Sequence, residues 1–328
     1  LIKSYICGLS GQIEDIHKRW DDEITKKLKD DATQFFLFLT RFKLKKHITE
    51  NNLFKEFKEN YSYEGNKITF SDIVKYSTIF YEFWIKNDKK VSDVQRKSLR
   101  IIRDLKRRDI TTLIFSIAKV YEEKEIFNKE LLKILETFEI RTAAVKLRPQ
   151  DHKFSIDFND DCKFYYNSEN FLTFNESIYK IHEYLKSLSP DCKAFKDAIE
   201  KLSYPSLITK VVLRSQEEGI DAGKEYDKID YEHVMPKRPS KTWENCNLPK
   251  DSDNYKKLVN NLGNLFVINK RKNKKAGNKS FEEKKKLYCT LSNWSINEYT
   301  KELKEWTPEL IEKRAKEIAE YSAEYWSF

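Results

Sequence analysis

The stretch that decides the fold of the carboxyl-terminal part of the chain reads Tyr226-Asp-Lys-Ile-Asp-Tyr-Glu-His-Val-Met-Pro236. Its polarity alternates up to His233, which is typical of a short, half-buried β-strand. Pro236 lacks a backbone donor and should end that strand in a loop. A second short strand is predicted over Leu262-Gly-Asn-Leu-Phe-Val-Ile268, because β-branched and aromatic residues favour a sheet.

A basic loop is predicted after the second strand, followed by a helix. Ser280-Phe-Glu-Glu283 has the pattern of a capping box, and the helix that it starts should run to about Leu291. Thr307-Pro308 marks the start of a terminal helix that ends near Trp326, since proline is favoured at the first helical position. The buried face of this helix is predicted to carry Ile311, Ala315, Ile318 and Ser322.

The amino-terminal half has a helical pattern. Residues 12–148 contain one glycine, Gly65, and no proline, and apolar residues recur at helical spacing. Phe35-Phe-Leu-Phe-Leu39 should lie in a core helix. Pro149 then opens a less regular stretch that extends to about residue 205. We therefore expect a mainly α protein, with a helical domain over 1–205 and a second domain over 206–328.

The composition of the 328-residue chain is that of a globular protein, with 39% hydrophobic and 35% charged residues. No apolar stretch approaches the length of a membrane span, and the amino terminus lacks the pattern of a secretory signal. These features predict a cytoplasmic protein. The five cysteines include no CxxC pair, so we expect reduced thiols and neither a disulfide framework nor a four-cysteine zinc site.

The positive charge is concentrated in one segment. Residues 256–286 hold eleven lysines and arginines against two acids, Glu282 and Glu283, and this surplus equals the net charge of the whole chain, +9. A local surplus of this size indicates a polyanionic partner. The predicted DNA-binding residues are Lys270, Arg271, Lys272, Lys274, Lys275, Lys279, Lys284 and Lys285.

The segment offers the groups that phosphodiester hydrolysis requires. The reaction needs a base that activates water, a cation at the scissile phosphate, and basic groups that hold the backbone. Glu232 and His233 are adjacent at a strand end, so their side chains should point to opposite sides and serve metal and water separately. Asn273 supplies a second oxygen ligand from the later loop. Hard oxygen donors suit Mg²⁺ or Mn²⁺.

Three motifs carry a resemblance to a nuclease fold: Glu232-His-Val-Met-Pro236, Gly263-Asn-Leu265 and Lys272-Asn-Lys-Lys-Ala-Gly277. Together they resemble the HNH, or His-Me finger, nucleases, in which a ββα unit holds one metal ion. The resemblance implies that His233 is the general base and that Asn264 orients its imidazole. It also implies that Glu232 and Asn273 bind the metal.

The sequence is more closely similar to one branch, the carboxyl-terminal halves of restriction and phage-defence proteins of the GmrSD and SspE kind. EHVMP, NNLGNLFVINKRKN, GNKSFEEKK and the spacing of Trp306, Ile311 and Arg314 carry this likeness. It implies a DNA endonuclease that acts on phage or modified DNA. The DGQQR-type motif of the upstream domain has no match, and the first residue is Leu1, so we expect a missing amino-terminal NTPase or sensor domain. Lys237 stands where glutamine is more usual.

Each assignment has a structural alternative. Asn264 and Asn273 could shape turns, Glu232 could form a surface ion pair, and individual lysines could only face solvent. The remaining histidines are expected to be structural or surface residues: His17, His47, His152 and His182. Two other functions stay open for the whole chain: a DNA-binding clamp that has lost turnover, and a regulatory or scaffolding subunit whose helical half binds a partner.

Overall fold

The computed structural model describes residues 1–9, 13–62, 67–86, 91–149, 153–154, 170–217, 228–238, 243, 253–292 and 294–328. Within these residues the structure is mostly helical and contains one two-stranded sheet, which confirms the mainly α prediction. No helix in the described ranges combines the length and apolar character needed to cross a bilayer. His152 lies outside the described residues.

The chain divides into two compact units. Unit 1 comprises Leu1–Leu99, Lys106–Leu135 and Arg148–Leu188, and unit 2 comprises Arg100–Leu105, Glu136–Leu147 and Ser189–Phe328. The domain boundary predicted from the sequence, between residues 205 and 206, stays a prediction.

The helices up to residue 188 confirm the helical prediction for the amino-terminal half. In chain order they are α1 (Ile2–Leu9), α2 (Ile13–Trp20), α3 (Lys26–Leu28), α4 (Ala32–Leu44), α5 (Glu50–Asn60), α6 (Phe70–Phe80), α7 (Asp93–Leu105), α8 (Thr111–Val120), α9 (Lys129–Ala144) and α10 (Phe174–Leu188). Two π-helical turns, Asp21–Thr25 and Tyr81–Ile85, follow α2 and α6 directly.

The core of unit 1 is aromatic. All five residues of the predicted core segment, Phe35 to Leu39, are buried in α4. The ring of Phe35 packs edge-on against Phe80 at 5.8 Å and against Phe115 at 6.4 Å, so α4, α6 and α8 meet at one cluster. Aromatic pairs of this kind stabilise a core beyond the burial of their area. The continuous run of large apolar residues from Phe35 to Leu39 therefore serves to pack the core.

The stretch after Pro149 is more regular than its prolines indicated. It contains α10 and a further helix, α11 (Cys192–Glu200), so the prediction of irregular structure is wrong where residues are described. Pro190 lies between the two helices and interrupts neither. The side chain of Asp191 accepts a hydrogen bond from the amide of Ala194 and caps α11.

The regular elements of unit 2 beyond α11 are α12 (Leu207–Ser215), β1 (Ile229–His233), α13 (Asp253–Asn260), β2 (Leu265–Asn269), α14 (Lys270–Ala276), α15 (Phe281–Tyr288), α16 (Ser295–Thr300) and α17 (Pro308–Tyr325). Both capping predictions are confirmed. The side chains of Ser280 and Glu283 cap α15 reciprocally, and the Thr307 hydroxyl accepts from the amide of Leu310 at the start of α17.

The predicted basic loop after the second strand is a helix, α14, and this corrects the sequence interpretation. The side chain of Asn269 accepts a hydrogen bond from the amide of Arg271 and starts the helix directly at the end of β2. The helix ends at Gly277, whose φ of 48° suits glycine. Lysine and arginine are good helix formers, so a basic run favours a helix wherever a cap precedes it.

The sheet of unit 2 separates two hydrophobic cores. β1 and β2 pair antiparallel, with His233 opposite Leu265 and Glu232 opposite Phe266. Because side chains alternate along a strand, the two faces differ. The histidine-side core contains Ile229, Leu262, Leu265, Val267, Ile318 and Trp326. The glutamate-side core contains Val234, Met235, Phe266, Ile268, Tyr288 and Trp306.

The turn before β2 packs against α17 with no room for a side chain. A Cβ atom on Gly263 would lie 1.9 Å from the carbonyl oxygen of Ile311 and 2.9 Å from the amide nitrogen of Ala315. Both neighbours are backbone atoms, which cannot rotate away. The guanidinium of Arg314, on the same helix, donates to the carbonyl oxygens of Gly263 at 2.8 Å and Leu265 at 2.7 Å. The helix and the turn therefore hold one another.

We predict that Gly263→Ala destabilises unit 2 by at least about 3 kcal/mol, since overpacking against rigid atoms is at the costly end of such changes. Chemical denaturation followed by circular dichroism measures the free energy of unfolding. Gly8→Ala is the matched control, because a Cβ at Gly8 meets no atom within 4 Å. Equal stability of the two variants would contradict the close packing of the turn on α17.

Candidate active site at His233

His233 is the last residue of β1, and the loop after it is fixed from both faces of the sheet. Its ring packs edge-on against Tyr204, with ring centroids 5.2 Å apart. The Nε2 atom is buried and has no hydrogen-bond partner among the described residues. Buried polar atoms are nearly always paired, so an unpaired one in a partly buried site is suited to a water molecule or a ligand.

The environment of His233 keeps the imidazole neutral. Burial is the main cause that lowers the pKa of His233, to about 4, and the positive charge of Lys237 acts in the same direction. Hydrogen bonding by the side chain of Asn260 and by the main chain of Tyr231 opposes this shift. A neutral imidazole has one nitrogen that can accept a proton. The imidazole is therefore unprotonated near neutral pH and has one nitrogen that can accept a hydrogen bond.

Asn264 fixes the backbone after His233. Its Oδ1 accepts from the amide of Met235 at 2.8 Å and from the indole of Trp306 at 3.0 Å. Its Nδ2 donates to the carbonyl oxygens of Met235 at 2.9 Å and Val259 at 2.8 Å. These four bonds use both donors and both acceptor positions of the amide.

The role of Asn264 implied by the resemblance, orientation of the imidazole, is therefore corrected. A fully bonded amide has no group left for the ring of His233. Asn264 instead acts through the main chain, because its own carbonyl oxygen also accepts from the amide of Val234 at 3.1 Å. Trp306 and Arg314, quoted only as parts of a sequence pattern, contribute the indole that binds this side chain and the guanidinium that holds its turn.

Glu232 lies in a buried ion pair on the opposite face of the sheet. Its Oε1 accepts from the ammonium of Lys284 and from the hydroxyl of Tyr288, both at 2.7 Å. Lys284 also donates to the carbonyl oxygens of His233 at 2.7 Å and Val234 at 3.1 Å, so all three of its donors are used. Burial raises the pKa of Glu232 and lowers that of Lys284, and their mutual attraction opposes both shifts.

Lys284 was predicted to contact DNA, and the structure corrects this. Its side chain is 1% exposed, which leaves no surface for a phosphate. A charge run in a sequence does not distinguish the one lysine that points inward. The surface ion pair considered for Glu232 is corrected as well, because the partner is a buried lysine and the carboxylate is 2% exposed.

Asn273 lies on α14 and reaches back to β1. Its Nδ2 donates to Asp230 Oδ2 at 2.8 Å and to the carbonyl oxygen of Tyr231 at 3.5 Å. Both bonds use the nitrogen, so the amide oxygen is the atom that remains for a ligand. Asp230 was not among the residues selected from the sequence. Strand alternation could have found it, because a residue two positions before Glu232 lies on the same face.

The other basic residues differ in exposure. Lys272 donates to the hydroxyl of Thr290, and Lys285 donates to the carbonyl oxygen of Leu303, both at 2.7 Å. Both are partly buried. The exposed members of the predicted set are Lys270, Arg271, Lys274, Lys275 and Lys279. The positive surface is therefore centred on α14 and the turn that follows it.

The residues of the site offer a divalent ion oxygen ligands, but few of these oxygens belong to carboxylates. Within the described ranges, no group of three or more His, Cys, Asp or Glu side chains is placed to hold a metal. Asp230 and Asn273 bring a carboxylate and an amide together, which are the hard donors that Mg²⁺ accepts. Glu232 contributes less readily, because one of its oxygens already binds an ammonium and a phenol.

The fold and the site together define a helical unit with a short antiparallel sheet whose first strand ends in a partly buried, neutral histidine. Residues 189–321 match the family model described as the C-terminal domain of GmrSD restriction endonucleases. The matched segment holds β1, β2 and all the residues of the site described above. No curated protein shows a significant sequence match to the chain.

We predict that Lys284→Met lowers the free energy of unfolding by about 3 to 5 kcal/mol, because it leaves the Glu232 carboxylate buried without its counterion. Lys286→Met is the matched control. Lys286 pairs with Glu282 on the same helix, but both side chains are more than 70% exposed. Its removal should cost less than about 1 kcal/mol. Similar losses in the two variants would show that the buried pair does not hold the site.

We also predict that the His233 imidazole titrates with a pKa of about 4 in the folded protein. NMR of selectively labelled histidine measures this directly. The folded-state pKa lies below the ordinary value of 6.5, so the unfolded chain binds the proton first, and stability decreases as the pH falls from about 6.5 towards 4. Lys237→Ala should raise the pKa, whereas Lys274→Ala should leave it unchanged. A pKa near 6.5 in the parent protein would contradict the lowered pKa of this partly buried imidazole.

Proposed function

We propose that this protein is a metal-dependent DNA endonuclease of the HNH type that acts in restriction or phage defence. The observation that carries the proposal is the unpartnered, buried Nε2 of His233 at the end of β1, within the segment that matches the GmrSD C-terminal domain. The antiparallel pair of β1 and β2 followed by α14 resembles a ββα unit with α13 inserted between its strands, and this resemblance supports the proposal of an HNH site.

In the proposed reaction, His233 acts as general base. Nε2 accepts a proton from a water molecule whose oxygen attacks phosphorus, the bond from phosphorus to the 3′ oxygen breaks, and the departing oxygen takes a proton from solvent. The products are a 5′-phosphate and a 3′-hydroxyl. Asn264 and Lys284 contribute by holding the backbone at Val234, and the lysines of α14 would bind neighbouring phosphates.

The cofactor in this proposal is Mg²⁺ or Mn²⁺. Asn273 would hold it through its amide oxygen, together with the carboxylate of Asp230 on β1. Glu232, which the resemblance also assigns to the metal, is buried and already paired with Lys284. When bound, the ion supplies positive charge that stabilises the scissile phosphate and the leaving oxygen. An amino-terminal NTPase or sensor domain belongs to the proposal by resemblance alone, and a cytoplasmic location remains a prediction from the sequence.

A DNA-binding clamp without turnover is the second candidate. It is favoured by the Lys284 ammonium, which already satisfies Oε1 of Glu232, and by the small number of carboxylates at the site. The clamp predicts salt-sensitive DNA binding without metal-dependent products. The exposed lysines of α14 serve both candidates equally, so only turnover separates them.

We predict that the protein converts supercoiled plasmid to nicked or linear DNA in Mg²⁺ or Mn²⁺ and not in EDTA. His233→Ala should slow this conversion by about 10² to 10⁴-fold, which is the usual contribution of a general base. The matched control is His47→Ala, an exposed histidine of unit 1. Cleavage by His233→Ala at the parental rate would exclude the mechanism, and binding without cleavage by the parent would favour the clamp.

A further inference from the structure

A second group of basic residues surrounds His233, away from α14. The ammonium of Lys237 lies 4.8 Å from the ring centroid of Tyr204, the same ring that packs against the imidazole. Lys210, on α12, places its ammonium 5.5 Å from the Tyr204 ring and 5.9 Å from the Tyr231 ring. We call Tyr204, Tyr231, Lys210 and Lys237 the lysine–tyrosine cluster. None of the four was selected from the sequence as a DNA-binding residue.

The cluster is held in place by main-chain contacts. The amide of Tyr204 donates to the carbonyl oxygen of Asn260 at 2.9 Å, and the amide of Leu262 donates to the carbonyl oxygen of Leu202 at 3.1 Å. The segment that carries Tyr204 is thus joined to the turn that precedes β2. On the other side, the hydroxyl of Tyr255 donates to the carbonyl oxygen of Pro236 at 2.8 Å, directly before Lys237.

The charges of the cluster favour an anion. Lys237 is exposed and Lys210 is partly exposed, and among the described residues neither forms an ion pair with a carboxylate. Burial is the main cause that raises the pKa of the Tyr204 phenol, and the negative charge of Asp230 raises it further. Two ammonium groups beside a histidine whose Nε2 is unpartnered form a site of positive potential.

The positions of the two lysines over the aromatic rings indicate whether the phosphates or the bases of a nucleic acid would bind at the cluster. Both lysines lie within about 6 Å of aromatic centroids, the range of a cation–π contact. An ammonium over a ring competes with a nucleobase for the same stacking position. The cluster is therefore better suited to backbone phosphates than to unstacked bases.

We propose that Lys210 and Lys237, held on Tyr204 and Tyr231, bind the DNA phosphates that flank the scissile bond at His233. This inference rests on the proposed nuclease function and adds to it the contacts that place the substrate strand. The lysines of α14 would then supply attraction at a distance from the cut, whereas the lysine–tyrosine cluster fixes which phosphate reaches His233.

The test measures DNA binding separately from cleavage. Fluorescence anisotropy of a labelled DNA duplex is recorded in EDTA with His233→Ala as the parent, so no turnover occurs. Lys210→Ala/Lys237→Ala should raise Kd by about tenfold and reduce the slope of log Kd against log salt by about 0.9 for each lost phosphate contact. The matched control, Lys313→Ala/Lys316→Ala, removes the same charge from exposed positions of α17 and should change Kd by less than about twofold.

Two further variants make the result specific. Lys210→Arg/Lys237→Arg keeps both charges and should bind within about threefold of the parent, which a loss of folding would not allow. Lys274→Ala/Lys275→Ala tests the α14 surface and should also weaken binding. Circular dichroism checks that each variant is folded.

The proposal is overturned if Lys210→Ala/Lys237→Ala binds as the α17 control does, or if the parent does not bind the duplex. Failure of the nuclease function has a different signature. In that case the plasmid stays supercoiled in Mg²⁺ and Mn²⁺, while binding still depends on Lys210 and Lys237.

Discussion

The buried side-chain amide of Asn264 joins three separate parts of unit 2. Its four hydrogen bonds join the loop after β1, the end of α13 and the indole that precedes α17. Each partner is itself buried, so a lost bond would leave an unpaired polar atom, which costs about 1 to 3 kcal/mol. The position of His233 thus depends on a residue that does not contact its imidazole.

Burial also determines the electrostatics of the site. On one face of the sheet it keeps His233 neutral, because a charged imidazole would lose its hydration. On the other face it forces Glu232 to take Lys284 as a partner, and the ammonium in turn binds the two carbonyl oxygens that follow. The loss of hydration on burial therefore keeps an unprotonated imidazole on one face of the sheet and fixes the backbone through an ion pair on the other face.

Local signals made much of this unit predictable. The alternation before His233, the capping residues Ser280 and Thr307, and the buried face of α17 depend on near neighbours in the chain, and the structure confirms them. The bonds of Asn264 join residues far apart in sequence, so no spacing rule could assign them. A charged residue that points inward, such as Lys284, looks in sequence like its exposed neighbour Lys286.

The helix α14 shows a different reason for error. The basic run after β2 is predicted as a loop, but the side-chain cap from Asn269 and the helix propensity of lysine and arginine make it a helix. The lysine–tyrosine cluster escaped notice because Tyr204 and Lys210 lie outside the basic segment and meet Lys237 only through the fold. The alternation of β1 places Asp230 on the same face as Glu232, so its contact with this face follows from the sequence.

The packing of Gly263 against α17 has a consequence for the synthesis of the protein. The ribosome makes the His233 strand before it makes Trp306 and Arg314, which hold Asn264 and the turn at Gly263. Until α17 has left the exit tunnel, the turn at Gly263 has nothing to pack against, and the nascent chain holds its histidine in an unformed site. Assembly of the site therefore waits until α17 has been synthesised, as is general for units closed by contacts between distant parts of the chain.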